Sequence, residues 1–211
     1  MKYPHYSVYE NLYKRYFNKG VQYLIDEANL NYEDKVLDIC GGNARLTREL
    51  KKICNDVSYL DQEKDMIPED LKNLGVKVYN TSVEKFVGTC CEKFTKVFCE
   101  QAINYWLLNI DINKFSDIIE YNGVFIFNTF SNAPSTKPMI KEYLLDNKNY
   151  LEISYLVGRK VYHIQVCEGL EPHFTIFDWI SRDEYINLLS PYFDIEVIDN
   201  GKSSLYICKR K

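Results

Sequence analysis

Acidic and small residues near position 40 form the pattern in this sequence that most clearly implies chemistry. Asp38 lies within the apolar run 36–39, and the small residues Cys40, Gly41 and Gly42 follow it directly. Small side chains let a ligand approach the main chain, and the free amide hydrogens that open a helix favour polar or anionic groups. The apolar residues that come next recur at helical spacing. The stretch therefore predicts a strand, a tight turn and a helix, with a ligand bound at the turn.

Two known nucleotide-binding motifs could be considered for this stretch, and neither fits it. A phosphate-binding loop has the form Gly-x-x-x-x-Gly-Lys-Ser/Thr, and no Lys-Ser or Lys-Thr pair follows these glycines. A dinucleotide-binding fingerprint has no carboxylate in the strand just before its glycines, whereas this chain has Asp38 there. An acid at that position suits a cationic ligand better than a pyrophosphate. The structural alternative is a glycine-containing turn in an ordinary α/β domain.

Two later apolar runs also end in acidic residues. Asp61 follows the run 57–60, about twenty residues after the turn, where an acid can accept both hydroxyls of a ribose. Glu100 ends the run that starts at Lys96, and polar and aromatic residues crowd the segment after it. The carboxyl ends of parallel strands are where open α/β sheets hold ligands. These acids are therefore candidates for the same site as the turn.

Residues 36–47, Val-Leu-Asp-Ile-Cys-Gly-Gly-Asn-Ala-Arg-Leu-Thr, resemble the first motif of the class I S-adenosylmethionine-dependent methyltransferases, Asp-x-Gly-x-Gly-x-Gly. Cys40 and Ala44 replace two of the three glycines, and both are small enough to keep the turn. A hairpin signal at Asp199-Asn200-Gly201-Lys202 follows five alternating strand and helix units. This layout is similar to the methyltransferase sheet and extends the resemblance over the whole chain.

The resemblance implies the fold class and the cofactor. The expected fold is α/β, a three-layer Rossmann-like seven-stranded methyltransferase sheet with a terminal antiparallel hairpin and a small antiparallel β insertion. S-adenosylmethionine is the implied cofactor, with the acid after the second strand on its ribose and the next residue beside its adenine. The cofactor-binding residues so implied are Tyr9, Tyr16, Asp38, Cys40, Gly41, Gly42, Asp61, Gln62, Met66, Ser82, Val83, Glu100 and Gln101.

The chain is expected to form one methyltransferase domain, residues 1–211, with two additions. Residues 1–30 predict a helical lid whose first helix, 7–18, carries a tyrosine-rich stripe that either packs on the domain or covers the cofactor. Residues 145–180 predict an antiparallel insertion that covers the ligand mouth or makes contacts in a homodimer. The strand-like runs in that insertion are 150–157, 160–167 and 174–180.

Catalytic demands on such a protein are small, because a sulfonium is already an activated methyl donor. A general base is needed only when the nucleophile arrives protonated. His173 is the first candidate base and His163 the second, although each also fits an ordinary sheet residue. The candidate substrate residues are Asn104, Tyr105, Trp106 and Trp179, and the three aromatic residues among them could equally belong to the core.

Composition excludes several classes of partner. The formal charge of −4 and the scattered acids leave no broad basic face for nucleic acid, and the Pro-Pro motif of DNA-modifying relatives is absent after Glu100. Seven cysteines without CxxC spacing or a signal peptide indicate reduced thiols in a cytoplasmic protein. No apolar run approaches the ~20 residues that span a bilayer. Histidine and carboxylate spacings typical of metal sites are also absent, so no metal is expected.

Two functions therefore remain at the level of sequence. The first is methyl transfer to a small polar metabolite, at an amine nitrogen in preference to oxygen, because the insertion resembles that of amino-sugar N-methyltransferases. The second is a non-catalytic S-adenosylmethionine-binding protein, a sensor or a partner subunit, which Cys40 and Ala44 in place of glycines motivate.

Overall fold

The computed structural model describes residues 18–145, 147–169, 171–201 and 203–211. The predicted helix 7–18 and the expected cofactor contacts Tyr9 and Tyr16 lie outside the described residues, apart from the last position of that helix. The helices are α1 Asn18–Asp26, α2 Arg45–Ile53, α3 Val83–Thr89, α4 Ile112–Asp117 and α5 Arg182–Leu189. The strands are β1 Lys35–Ile39, β2 Asp56–Asp61, β3 Lys77–Asn80, β4 Phe94–Glu100, β5 Ile119–Phe130, β6 Met139–Leu145, β7 Lys148–Val157, β8 Lys160–Cys167, β9 His173–Asp178, β10 Phe193–Asp199 and β11 Ser203–Arg210.

Seven strands form the main sheet, in the order β10-β11-β5-β4-β1-β2-β3. Strands β1 to β5 pair with parallel neighbours, whereas β11 pairs antiparallel with both β5 and β10. Strand β1 lies inside the sheet, between β4 and β2. Val36 to Ile39 are almost completely buried, as expected for a strand covered on both faces. The predicted seven-stranded sheet with a terminal hairpin is thus confirmed.

Helices cover both faces of this sheet and give the molecule three layers. One core contains Leu37 and Ile39 of β1 together with Phe86 of α3. The core on the opposite face contains Val36 of β1 together with Leu24 of α1. Successive side chains of β1 enter opposite cores, as the period of two in a strand requires. The carboxyl end of β1 is consequently fixed from both sides, which holds the turn that follows it.

The predicted helix 112–121 is shorter in the structure. Helix α4 starts after Asp111, whose carboxylate accepts the Asn113 amide hydrogen at 3.0 Å, and ends at Asp117. Ile119 already pairs with Phe94 of β4, and a register shift separates this pair from the next one. A Cβ on Gly123 would lie 2.8 Å from the Glu120 carbonyl oxygen, so the irregularity requires glycine. The residues from Ile119 onward therefore pair as a strand, although their apolar spacing predicted a helix.

A second, four-stranded sheet has the order β6-β7-β8-β9, with antiparallel pairing throughout. The sequence predicted three strands here and a loop over 131–141. The structure adds β6, which begins at Met139, before the predicted start of the insertion at residue 145. The pairing of Met139 with Ser154 stabilises a strand that its own sequence pattern did not indicate.

The two faces of the second sheet differ in exposure. The inner face carries buried side chains, whereas the outer face exposes large apolar ones. The buried residues of the inner face are Tyr150, Val161, Gln165 and Cys167. The exposed apolar residues of the outer face are Ile140, Leu144, Val157, Phe174 and Ile176. Among the described residues, no helix has the length and apolarity needed to cross a bilayer.

Candidate functional site

The turn after β1 has the geometry of a close ligand approach. Gly41 donates its amide hydrogen to the Leu60 carbonyl at 3.2 Å, and a Cβ at this position would lie 2.4 Å from the Tyr59 ring. Gly42 has a φ of 51° and its carbonyl accepts the Tyr59 hydroxyl at 2.6 Å. Packing against the Tyr59 ring therefore requires glycine at position 41, and the left-handed backbone favours glycine at position 42.

The two positions where glycine is replaced are also left-handed. Cys40 has a φ of 57° and Ala44 a φ of 59°. A residue with a Cβ costs roughly 1–2 kcal/mol in this conformation. The turn therefore keeps the left-handed conformation that glycine favours, and the surrounding contacts offset the conformational strain at Cys40 and Ala44.

Asp38 lies under the turn and is 1% exposed. Its carboxylate accepts a hydrogen bond of 2.5 Å from the Thr47 hydroxyl of α2. The pKa of Asp38 is raised to about 7, mainly by burial and also by the negative charges of Glu100 and Asp61. The hydrogen bond from Thr47 lowers this pKa but does not cancel the effect of burial. A cation bound nearby would stabilise the ionised form of this carboxyl group.

Asp61, at the end of β2, holds the turn from the opposite side. It accepts the Gly42 amide hydrogen at 2.9 Å and the Glu63 amide hydrogen at 2.8 Å. Burial raises the pKa of Asp61 in spite of these hydrogen bonds. The predicted ribose-binding acid is thus also a structural support of the glycine turn, which the sequence did not indicate.

Glu100, at the end of β4, forms an ion pair with Arg45 at the start of α2. The Nη2 and Oε1 atoms are 2.5 Å apart, and each side chain is 14% exposed. Burial raises the pKa of Glu100, although the Arg45 charge opposes the change. The ion pair connects two edges of the site that are 55 residues apart in sequence.

A small cavity opens between these elements. Its lining consists of Asp38, Cys40, Gly41, Gly42, Asn43, Leu46 and Glu100. Five of these residues were predicted, whereas Asn43 and Leu46 were missed although they lie inside the same motif. Among the described residues, no group of three or more His, Cys, Asp or Glu side chains is arranged to hold a metal ion.

The other predicted cofactor residues that the structure describes are not among those that line this cavity. Met66 is buried, and its methyl group would be 3.7 Å from a Cβ placed on Gly42. Gln62 is exposed just after Asp61. Ser82 caps α3 by accepting the Lys85 amide hydrogen at 3.3 Å.

The next two predicted cofactor residues have structural contacts of their own. Val83 belongs to the core between α3 and the main sheet. Gln101 has a φ of 54°, and its amide hydrogen is donated to the Asn128 side chain at 2.8 Å. The sequence did not predict Asn128, which holds the chain just after Glu100.

Asn104 was predicted as a substrate contact, but it connects three elements in the structure. Its side-chain oxygen accepts hydrogen bonds from the Tyr185 hydroxyl and, at 3.1 Å, from the Thr129 hydroxyl. Its amide nitrogen donates to the Asp178 carbonyl at 3.0 Å. Asn104 therefore fixes the end of β9 to the segment that follows β4, which is a structural role.

For Trp106 the sequence left two alternatives, a substrate contact or a core residue, and the structure places its side chain in the core. Its side chain is 2% exposed and packs in the core against Phe115 and Phe125, at ring-centroid distances of 5.3 and 6.2 Å. Tyr105 points the other way, is 43% exposed, and has its ring 5.1 Å from that of Phe177 in β9. Only the tyrosine of this pair is accessible to a substrate.

The remaining candidates lie on the second sheet. His163 in β8 has its Nε2 2.7 Å from the Glu152 carboxylate of β7. His173 begins β9 and pairs with Gln165. Trp179 is partly buried just after β9 and donates its amide hydrogen to the Arg159 carbonyl at 2.8 Å. The two histidines are on neighbouring strands, as predicted, and the sequence did not suggest the carboxylate partner of His163.

No family model matches this sequence, and no curated protein matches it either. Solved structures do match over nearly the whole chain. A S-adenosylmethionine-dependent methyltransferase from Clostridium acetobutylicum superposes with a TM-score of 0.74 at 15% identity, covering 97% of this chain and 98% of its own. CalS10 from Micromonospora echinaspora, an amino pentose methyltransferase with S-adenosylmethionine bound, gives a TM-score of 0.74 at 13% identity and covers 97% of both chains.

The sugar N-methyltransferase KedS8 from Streptoalloteichus is also similar, with a TM-score of 0.67 at 12% identity, covering 98% of this chain and 92% of its own. The chain therefore has the fold of class I S-adenosylmethionine-dependent methyltransferases. This result confirms the fold expected from the glycine turn and the terminal hairpin.

Proposed function

We propose that this protein is an S-adenosylmethionine-dependent methyltransferase that acts on an amine nitrogen of a small polar metabolite. The observation that carries the proposal is the set of buried carboxyl groups at the carboxyl edge of the sheet. Asp38, Asp61 and Glu100 all have pKa values raised by burial, and Arg45 is paired with the last of them. A site that confines acids in this way stabilises a cation, which S-adenosylmethionine supplies with its sulfonium and ammonium groups.

The residues at the turn fit the parts of this cofactor. A carboxylate has about four lone-pair sites, so Asp61 can accept ribose hydroxyls while it keeps its two main-chain hydrogen bonds. Gly41 and Gly42 leave the main chain open to the ligand. The remaining residues of the proposed cofactor site are Asp38, Cys40, Gln62, Met66, Ser82, Val83, Glu100 and Gln101.

Bound S-adenosylmethionine would supply an activated methyl group. The protein then has to align the acceptor in line with that methyl group and exclude water, which accounts for most of such a rate enhancement. An amine that arrives as an ammonium must lose a proton first. His163 and His173 are the proposed proton acceptors.

The second sheet supports a small amine as the acceptor. CalS10 is an amino pentose methyltransferase and KedS8 a sugar N-methyltransferase, and their similarity covers 97% and 98% of the present chain. The exposed face of Tyr105, next to Phe177, can contact a cationic amine through its ring. Trp179 completes the aromatic residues that we propose for the acceptor site.

A homodimer is part of the same proposal. The outer face of the second sheet exposes Phe174 and Ile176 at 64% and 54%, and apolar patches of this kind mark contact sites between proteins. Light scattering should give a dimer mass for the wild type and a monomer mass for the variant Ile176→Asp. A monomeric wild type at micromolar concentration would contradict this assembly.

The function is tested by calorimetric titration with S-adenosylmethionine and S-adenosylhomocysteine, followed by a panel of amino-sugar and alcohol acceptors. We expect micromolar binding of both compounds and turnover of at least one amine. No binding of either compound would overturn the proposal.

The second candidate function is a non-catalytic S-adenosylmethionine-binding protein. The left-handed backbone at Cys40 and Ala44 favours it, because strain at a cofactor turn can lower affinity. Binding without turnover of any acceptor would favour this alternative. The double variant Cys40→Gly, Ala44→Gly should then bind the cofactor more tightly than the wild type.

A further inference from the structure

Three polar side chains meet on the inner face of the second sheet, one from each of three strands. His163 of β8 has its Nε2 2.7 Å from Oε1 of Glu152 in β7. The Tyr143 hydroxyl of β6 donates to the other oxygen, Oε2, at 3.2 Å. The carboxylate is thus held between a phenol and an imidazole, an arrangement that fixes the orientation of both.

The strand register shows which way this cluster faces. Val161 pairs with Phe177, and His163 lies two residues further along the same face of β8. The ring of Phe177 packs against Tyr105, which closely follows Glu100 of the cofactor site. Gln165, two residues beyond His163, is only 6% exposed. The cluster therefore belongs to the face that turns toward the carboxyl edge of the main sheet.

We infer that Glu152 is a positioning residue that orients His163 as the proton acceptor for the methyl acceptor's ammonium group. In this arrangement Nε2 carries the hydrogen that is donated to Glu152, and the lone pair of Nδ1 is free to accept a proton. Tyr143 keeps the carboxylate from rotating away. The inference rests on the proposed function and takes His163 as the base.

The proton and electron balance of the step is simple. The substrate N–H bond breaks, its proton moves to Nδ1 of His163, and its electron pair stays on nitrogen. That pair forms the new N–C bond as the methyl–sulfur bond breaks, and the sulfur keeps the electrons of the bond it loses. His163 then carries one positive charge, which the adjacent Glu152 carboxylate stabilises.

The charged and titratable groups around the cluster agree with this role. Burial disfavours the ionised form of Glu152, but the hydrogen bond and charge of His163, the Lys141 charge and the Tyr143 hydroxyl keep its pKa below the ordinary value. Tyr150 of β7 also lies on this face, with its ring 5.9 Å from that of Tyr143, and so do Cys167, which pairs with Tyr150, and His173 of β9, which pairs with Gln165. Glu152 therefore stays ionised at neutral pH, ready to stabilise an imidazolium.

The first test reads the histidine directly and needs no substrate. The sequence contains three histidines, so a protein labelled with ¹⁵N-histidine gives few signals, and the variant His163→Asn assigns one of them. We expect the neutral His163 ring to carry its hydrogen on Nε2 in the wild type. In Glu152→Gln the ring should lose this single tautomer. A hydrogen on Nδ1 in the wild type would overturn the inference.

The second test uses an amine turned over by the wild type. In Glu152→Gln we expect kcat/KM to fall by about 10- to 100-fold and the acid limb of its pH profile to move to lower pH, with cofactor binding unchanged. The matched control is Glu142→Gln, an exposed acid on the outer face of the same sheet, which should leave all three readouts unchanged.

The outcomes separate this inference from the proposed function. Turnover by Glu152→Gln with the wild-type rate and pH profile would overturn the role of Glu152 alone. No cofactor binding and no turnover by the wild type would overturn the proposed function and the base role with it. Loss of activity in His173→Asn but not in His163→Asn would assign the base to the other strand.

Discussion

The Thr47 hydroxyl donates a hydrogen bond of 2.5 Å to the carboxylate of Asp38, and both side chains are almost completely buried. This contact joins the first strand of the main sheet to the helix that follows the glycine turn. The contact fixes both ends of the turn, because Asp38 precedes the turn and Thr47 lies in the first residues of the helix that follows it.

The first prediction concerns this hydrogen bond. Thr47→Val keeps the shape of the side chain but leaves the Asp38 carboxyl without its hydroxyl donor. We expect the free energy of unfolding to fall by ~1–3 kcal/mol, as for other buried polar groups that lose a partner. Urea denaturation measures the change, and Thr47→Ser, which keeps the hydroxyl, is the control. Equal stability of the valine and serine variants would contradict the role of the bond.

The pH dependence of stability follows from the raised pKa of Asp38, about 7 in the folded state and near 4 for an exposed aspartate. Between these values the folded protein binds more protons than the unfolded chain, so stability falls as pH rises. Between pH 5 and pH 7 the loss attributable to Asp38 is on the order of 2–3 kcal/mol. Asp38→Asn should flatten the curve measured by denaturation without cofactor, and an unchanged slope would refute this assignment.

Cofactor binding should have the opposite dependence on pH. A cation favours the ionised form of Asp38, so binding requires the release of the proton that this group holds below pH 7. We expect the affinity for S-adenosylmethionine to rise up to about tenfold per pH unit from pH 5.5 to 7. Calorimetry in buffers of different ionisation enthalpy counts the released protons. A pH-independent affinity with no proton release would argue against a cation beside Asp38.

One pair of variants separates the main-chain hydrogen bonds of Asp61 from its proposed role as the ribose acceptor. Asp61→Ala removes the ribose acceptor together with both main-chain hydrogen bonds, and should weaken cofactor binding by ~1–3 kcal/mol. Asp61→Asn keeps one acceptor oxygen and should lose less. Glu69→Gln, an exposed acid on a 3₁₀ turn, is the control. Unchanged binding by the alanine variant would show that another residue holds the ribose.

The Arg45–Glu100 ion pair is tested by a double-mutant cycle. Arg45→Met leaves a buried carboxylate without its partner and should destabilise the fold by roughly 3 kcal/mol. Arg45→Met combined with Glu100→Gln removes both charges and should recover much of that loss. Additive effects of the two single variants would indicate that the pair contributes no coupling energy.

Much of the fold could be predicted because it depends on short patterns. The apolar run before Cys40 and the hairpin signal at Asn200-Gly201 each specify a local structure that the long-range pairing then agrees with. Ile112 to Tyr121 is different, since its helical spacing competes with the pairing of Ile119 to Phe94. The sequence pattern contains no information about that partner, so the predicted helix was too long.

The site was predictable to a similar extent. Acids at strand ends indicated Asp38, Asp61 and Glu100, because strand ends of a parallel sheet meet at one edge. The contact between Glu152 and His163, which are 11 residues apart, depends on the exact register of the hairpin that β7 and β8 form. The hydrogen bond from Asn104 to Asp178 joins residues that are 74 positions apart. Trp106 was ambiguous for the same reason, because only the packing of the 3₁₀ turn decides which aromatic side chain enters the core.

Cysteine in place of glycine at position 40 introduces a sulfur nucleophile into the wall of the cofactor cavity. Burial raises the pKa of the Cys40 thiol well above its usual range, and the nearby Cys99, Asp61 and Asp38 raise it further. The thiolate is the reactive species, and it is almost absent under these conditions. Burial, together with two of the acids that we propose for the sulfonium site, therefore keeps this sulfur in the thiol form, which is a poor nucleophile toward a methyl donor.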